Sequence, residues 1–294
     1  MSTGALSIEP TRVRLIGQSA SMRALDEAID GAAAADGHVL LTGESGVGKH
    51  LAARLIHQRS RRAAAPVAAV NCAGLPDVLL ESELFGHVRG SFAGAYRDKR
   101  GLFELAEHGT AFLDDVGAMS TRVQAALLRF LVSGEIQRVG AAHVHMRVSV
   151  RLITGTTRDL QPQIAAGEFR EDLSARLHVI RLTLPPLRER TEDIPQLVDF
   201  FLQSYANTHC ATTSVVSSEI LKALVAYPWP GNVHELKQVV ERLALMARES
   251  VVRLEDLPAE VIRASVSSAV PRPVTLTQSD RRTPMTLIAL NGTG

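Results

Sequence analysis

The run Val39-Leu40-Leu41-Thr42-Gly43-Glu44-Ser45-Gly46-Val47-Gly48-Lys49 leads an apolar stretch into a glycine-spaced turn and then into a helical pattern. A strand, a glycine loop and a helix in that order make a phosphate cradle. Closely spaced glycines let successive backbone N–H groups face phosphate oxygens, the helix N-terminus adds its positive end, and Lys49 can reach the β- and γ-phosphates. A plain glycine-rich turn is the competing reading, and the flanking strand and helix argue against it. His50 follows the lysine, where the common motif has a serine or threonine hydroxyl.

Outward from this loop, short apolar runs alternate with amphipathic stretches from Val13 to about Leu184, the pattern of a parallel sheet wrapped by helices. The expected strands are His38–Thr42, Val67–Asn71, Ala111–Asp115, Val150–Thr154 and Ile180–Leu184, with helices over Lys49–Arg59, Pro76–Leu84 and Thr121–Ser133. Leu184-Pro185-Pro186-Leu187-Arg188-Glu189-Arg190 breaks the alternation, and only helical periods follow. Asp193 can cap a helix that tolerates Pro195 in its first turn and runs to about Thr208. Ser217–Tyr227 and Asn232–Arg248 continue an all-helical unit, and Asn232 with Glu235 has the spacing of a capping box. The expected division is a lead-in over 1–12, an α/β domain over 13–187 and a helical unit over 188–262. Residues 263–294, rich in Ser, Thr, Pro and Arg, read as a linker or unfolded tail.

Composition narrows the class. With 294 residues, 46% hydrophobic and 21% charged, the chain suits one large globular domain plus a smaller one. A net charge of +1 supplies no broad basic field for nucleic acid. Cys72 and Cys210 are the only cysteines, which excludes a disulfide framework and fits a reducing cytoplasm. No apolar run approaches a membrane span, and Met1–Pro10 lacks the pattern of a signal peptide, so a cytoplasmic location is expected. His143 and His145 alternate on a candidate strand, but two histidines without a cysteine or carboxylate partner make a poor metal site.

Glu83-Leu84-Phe85-Gly86-His87 followed by Gly90-Ser91-Phe92-Ala93-Gly94-Ala95 is a second informative stretch. Its glycines permit movement, and in a chain with only 4% aromatic residues Phe92 at that point suggests docking. A tight turn that tucks Phe92 into the core is the alternative. Further on, Thr110-Ala111-Phe112-Leu113-Asp114-Asp115 reads as a strand ending in two carboxylates, with Asn71 at the end of a neighbouring strand.

Taken together, these segments closely resemble the NtrC-type activators, the AAA+ bacterial enhancer-binding proteins, over roughly Leu15 to Ile262. The resemblance implies an α/β fold, an AAA+ P-loop parallel sheet with helices on both faces, joined to a smaller all-helical lid. It implies ATP and Mg2+ as ligands, sigma-54 RNA polymerase as partner, and self-association into a ring expected to be a hexamer. Gly90, Phe92, Ala93 and Gly94 fall in the polymerase-contacting loop, where the family usually reads Gly-Ala-Phe-Thr-Gly-Ala. Gly134-Glu135-Ile136-Gln137-Arg138-Val139-Gly140 matches the second pore-side loop. Phosphate contacts fall to Gly43, Glu44, Ser45, Gly46, Val47, Gly48, Lys49 and His50, the last standing where the family often has an acid. Asp114 takes the Walker B position that holds hydrated magnesium, and Asp115 that of a water-orienting glutamate. Asn71 is implied as a polar switch on that carboxylate, and Thr157 replaces a γ-phosphate-sensing asparagine. Arg170 and Arg176 match the arginine fingers offered to a neighbouring subunit. His234 replaces the nucleotide-contacting arginine of the family's Trp-Pro-Gly-Asn-x-Arg-Glu-Leu.

The function so implied is an ATP-dependent transcriptional activator that remodels sigma-54 RNA polymerase. Ala93, Asp115, Thr157 and His234 suggest the alternative, a nucleotide-binding but hydrolytically weak regulatory subunit or a degenerate remnant of the same family. Met285–Gly294 faintly resembles the opening helix of a Fis-like DNA-binding domain, or is an unfolded tail with a chance apolar patch. DNA binding is expected only through a partner.

Overall fold

Five strands lie parallel in the order Val67–Asn71, Thr110–Asp114, Arg151–Thr156, Val39–Thr42 and Ile180–Thr183. The computed structural model describes residues 6–7, 14–143, 146–209, 216–246 and 253–269. Successive strand side chains point to opposite faces, and both faces are covered, so the central residues of the strands are largely apolar on either side. Leu40, Ala111, Leu113 and Leu152 enter one core with Leu80 and Leu84 of the helix Asp77–Phe85 and Leu127 of the helix Thr121–Ser133. Val39, Leu41, Phe112 and Ile153 enter the other with Ile29 of the helix Ala20–Ala34 and Ile56 of Lys49–Gln58. The expected α/β sheet with helices on both faces is therefore the observed one.

The differences are local. Ala20–Ala34 is a helix the sequence reading did not identify, capped where Ser19 Oγ accepts from Met22 N at 3.3 Å. Leu6 and Ser7, inside the expected lead-in, pair antiparallel with Ala69 and Ala68 at the sheet edge. The strand expected to end in two carboxylates stops at Asp114. Asp115 lies beyond it in the left-handed region, with φ 52°. His143 sits in a bend rather than on a strand, and His145 lies outside the described residues. Among the described residues no group of three or more side chains could hold a metal ion, and no helix is long and apolar enough to cross a membrane.

Strand register sets the functional edge. Asn71 stands opposite Asp114, and Thr42 stands between Thr156 and Thr183. The glycine loop, Asp114, Asn71 and the Thr156-Thr157 turn thus leave the sheet side by side at its C-terminal edge, where open parallel sheets take their ligands.

Beyond Leu187 the helices Ile194–His209, Ser218–Ala226, Asn232–Met246 and Ala259–Ala269 form the expected helical unit. Its last helix continues past the expected boundary at Ile262, and residues 270–294, with Met285–Gly294, lie outside the described residues. Asp193 does not cap the helix that follows it; its carboxylate is occupied by the N-terminal segment, accepting from Gln18 N, Ser19 N and Ser19 Oγ at 2.7, 2.9 and 2.6 Å. At the centre of the unit is Trp229, 0% exposed, whose Nε1 donates to Leu224 O at 2.8 Å. Trp229→Ala removes the largest buried side chain of this core, and we expect a loss of about 3–5 kcal/mol in urea unfolding followed by circular dichroism. A loss below about 1 kcal/mol would show that the helical unit does not depend on that ring.

Candidate functional site

Positive φ at Gly43, Gly46 and Gly48 (154°, 76° and 109°) curls the loop ahead of the Lys49–Gln58 helix. Such angles favour glycine. At Gly46 a side chain is also excluded by space, since a Cβ would lie 2.2 Å from Gly231 O. Val47 anchors the loop in the core, and Lys49, 6% exposed, donates through Nζ to Gly43 O and Glu44 O at 3.0 Å each. The Lys49 charge is therefore held at the loop mouth. The His50 ring meets Phe112 edge-on at 5.5 Å. Desolvation of the ring against the protein and then Arg54 lower its pKa, with Asp114 opposing.

Phe112 and Asp114 share a strand face, so the Asp114 carboxylate lies on the side of Lys49 and His50. Burial raises its pKa, and Lys49 pulls the other way. Gly155 on the adjacent strand leaves room for this group, because a Cβ there would lie 2.5 Å from Asp114 Oδ1. Asn71 is exposed, and its Oδ1 accepts from Ala73 N at 2.9 Å in an Asx turn. Asp115, Thr157 and Arg158 line one cleft of about 120 Å³. Two of the substituted positions thus meet there.

The helical unit grips the glycine loop directly. His234 N donates to Gly46 O at 3.3 Å, while its exposed ring meets Gln238 Nε2 at 3.0 Å. Asn232 is wholly buried with φ 54° and does not act as the expected cap. Its Oδ1 accepts from Leu187 N at 2.8 Å, and its Nδ2 donates to Ser45 O at 2.9 Å and Glu44 Oε2 at 3.1 Å. Capping falls to Glu235, whose Oε2 accepts from Gly231 N at 2.8 Å. The Glu44 side chain turns toward the helical unit, accepting from Arg188 Nη1 and Nη2 at 2.8 and 2.7 Å, so only its backbone remains for the cradle. The sequence reading missed Arg188 as a partner of Glu44 and Arg190 as a buried support of Val47 O. Neither pairing has a local signal, since 144 and 143 residues separate the partners.

Arg170 and Arg176 are both exposed at the two ends of the short helix Glu171–Leu177. Arg170 Nε and Nη2 donate to the Asp172 carboxylate at 3.0 and 2.7 Å, and its backbone N–H donates to Gln124 Oε1 at 2.8 Å.

The Gly90–Gly94 segment is the tip of a hairpin in which Gly86-His87 pair with Lys99-Arg100. Phe92 is neither a free tip nor a core residue: it is half-buried, its ring edge-on to His87 at 5.0 Å. The outermost aromatic is Tyr96, 87% exposed. The second loop braces the hairpin, Val139 N donating to Gly86 O at 2.9 Å and Val139 O accepting from Val88 N at 3.1 Å.

Residues 15–183 match the sigma-54 interaction domain family, and residues 188–272 match the AAA+ ATPase lid domain. Regulatory protein AtoC of Escherichia coli (strain K12) is 48% identical over 223 residues, which is 76% of this chain and 48% of that protein. The DNA-binding transcriptional regulator NtrC of Proteus hauseri is 42% identical over 247 residues, 84% of this chain and 52% of that one. The chain spans about half the length of the curated relatives it matches. A crystal structure of NtrX from Brucella abortus in complex with ADP has a TM-score of 0.79 and 35% identity, covering 87% of this chain and 60% of that chain.

Hydrogen bonds from Arg188 and then Asn232 lower the Glu44 pKa from 4.5 to about 2. A depressed carboxyl contributes stability above its unfolded value, and that contribution is lost as pH falls from 4.5 through about 2. Arg188 and Glu44 side chains are 45% and 41% exposed, so screening limits the effect to about 1 kcal/mol or less. Glu44→Gln should be slightly less stable than the parent near neutral pH, with the gap in urea unfolding shrinking as pH drops below the ordinary carboxyl range. A gap constant with pH would show that the pair is not coupled to folding.

Proposed function

The chain belongs to the family of sigma-54 interaction domains, here followed by an AAA+ lid, and from that premise we propose that it is an ATP-driven activator that remodels sigma-54 RNA polymerase. The observation that carries this reading is the meeting at one sheet edge of a curled glycine loop, the Lys49 ammonium at its mouth and the Asp114 carboxylate on the same side. NtrX of Brucella abortus has been crystallised with ADP and with ATP. The sequence contains no Asn-Lys-x-Asp of the kind that selects guanine, which favours adenine.

In this reading the loop amides and the start of the Lys49–Gln58 helix hold the phosphates, and Lys49 exchanges its two carbonyl partners for phosphate oxygens. Gly155 leaves room for the Asp114 carboxylate, and that carboxylate is the group that would hold hydrated Mg2+. When bound, that ion supplies charge neutralisation on the phosphates. Asp115 orients water, with Asn71 as its polar switch, and Thr157 is the sensor in the cleft that it lines with Asp115. Arg170 and Arg176 reach a neighbouring subunit in a ring, where a guanidinium offsets charge on the transferring phosphoryl group. His234 contributes its backbone to the loop in place of an arginine head. The hairpin with Phe92 and Ala93 is the polymerase-facing element.

A hydrolytically weak form of the same machine is favoured by one observation. Asp115 and Thr157 line a single cleft, and both are shorter than the glutamate and asparagine the family uses. An aspartate carboxylate retreats by about 1.5 Å relative to glutamate, and a misplacement near 1 Å can cost about a hundredfold in rate.

Purified protein should release phosphate from ATP above a Lys49→Ala control, and release no higher than that control would sink the enzymatic reading. Asp115→Glu should raise kcat by about ten- to a hundredfold, while an unchanged kcat would remove Asp115 from water positioning. Ala93→Thr should strengthen trapping of sigma-54 with a transition-state nucleotide analogue. An unchanged complex would argue that this loop does not couple to polymerase.

A further inference from the structure

Phe92 is held by a chain of contacts that begins in the helix below it. Ser82, 3% exposed, meets His87 Nδ1 through its Oγ at 2.7 Å, and His87, 7% exposed, presents its ring to the edge of Phe92 at 5.0 Å. Backbone bonds fold the tip back on itself: Gly90 N donates to Ala95 O at 2.8 Å, Ser91 N to Val88 O at 3.2 Å, and Ala95 N to Phe92 O at 3.0 Å. The second loop closes over this fold so tightly that a Cβ on Gly140 would lie 2.5 Å from Ser91 Cβ. Ser91 Oγ is buried in that contact and has no hydrogen-bond partner among the described residues.

Two opposed terms therefore act on one position. An edge-on aromatic pair stabilises the closed loop. A buried hydroxyl without a partner has lost its water for nothing in return, and it regains water when the loop opens. Gly90 and Gly94, with φ 81° and 105°, flank Phe92 in the left-handed region, and no neighbour packs where a Cβ would stand at either.

We propose that His87 and Ser91 are opposed positioning residues for Phe92. The His87 ring, oriented by Ser82, holds the aromatic against its own domain, and the buried Ser91 hydroxyl weakens that hold so that the loop opens. That the opened loop meets sigma-54 rests on the reading under Proposed function; the hold itself does not.

Amide hydrogen exchange of residues 88–95 in the full chain reads the opening directly, because the bonded amides of Val88, Gly90, Ser91 and Ala95 exchange when the loop leaves. Ser91→Ala should slow their exchange about tenfold. His87→Gln, which keeps a polar partner for Ser82 but loses the ring, should speed it about threefold or more. Ser82→Ala should shift it in the same direction as His87→Gln, and it carries that arm if the histidine variant does not fold. Opposite signs for Ser91→Ala and the other two are the expected result. Unchanged exchange in Ser91→Ala, or shifts of one sign in all variants, overturns the proposal, since residues that merely maintain the fold would all speed exchange. Capture of purified sigma-54 in the presence of ADP and aluminium fluoride should weaken in Ser91→Ala by a similar factor. Exchange rates that move as stated while capture stays fixed would support the hold and remove sigma-54 as its partner.

Discussion

The buried carboxamide of Asn232 fastens the helical unit to the glycine loop, and much of the candidate site depends on it. Its oxygen takes the amide of Leu187 at the junction between the two units, and its nitrogen reaches Ser45 O and the Glu44 carboxylate. Each hydrogen bond is worth only about 1 kcal/mol net, but leaving such a group unmet in a buried place costs about 1–3 kcal/mol. The residue must also accept φ 54°, a region asparagine tolerates better than most side chains. Few residue types satisfy both the backbone angle and the two-sided hydrogen bonding.

Other contacts act along the same seam. Asp193 gathers Gln18 and Ser19 from the N-terminal segment, and Gly17 is required beside it because a Cβ would lie 2.7 Å from Asp193 Oδ2. Arg190, 4% exposed, donates to Val47 O at 3.3 Å and contacts Met22 Sδ. The glycine loop is thus held at Val47, Gly46, Ser45 and Glu44 by residues that follow the sheet. Its shape is a property of the joint between two units as much as of its own glycines.

What was legible in the sequence was the local chemistry. The strand-to-glycine-to-helix run located the glycine loop between its strand and helix, and alternating apolar runs located the five parallel strands to within a residue or two, because both signals are carried by near neighbours. Ala20–Ala34 escaped notice because its buried face ends in Ala32 and Ala33, too small to stand out as an apolar stripe. Asn232 misled because Asn-x-x-Glu has the spacing of a capping box, yet distant donors and acceptors claimed its side chain. The Glu44 side chain gave no sign in the sequence of turning to the helical unit, because its partner Arg188 is 144 residues away. Phe92 was read as either free or buried, and its actual half-buried seat depends on a histidine whose own orientation comes from Ser82.

The helix Thr121–Ser133 has a further consequence. It follows the Asp115 turn at one end, capped by Ser120, and runs at the other into Gly134 and the second loop, which is bonded to the Phe92 hairpin on both sides of His87. Thirteen residues make a rod of about 20 Å. Pivoted near the sheet edge, such a rod is a lever arm: a tilt of about 10° carries its far end about 3 Å. The two loops share backbone hydrogen bonds, so such a displacement would be passed to both together.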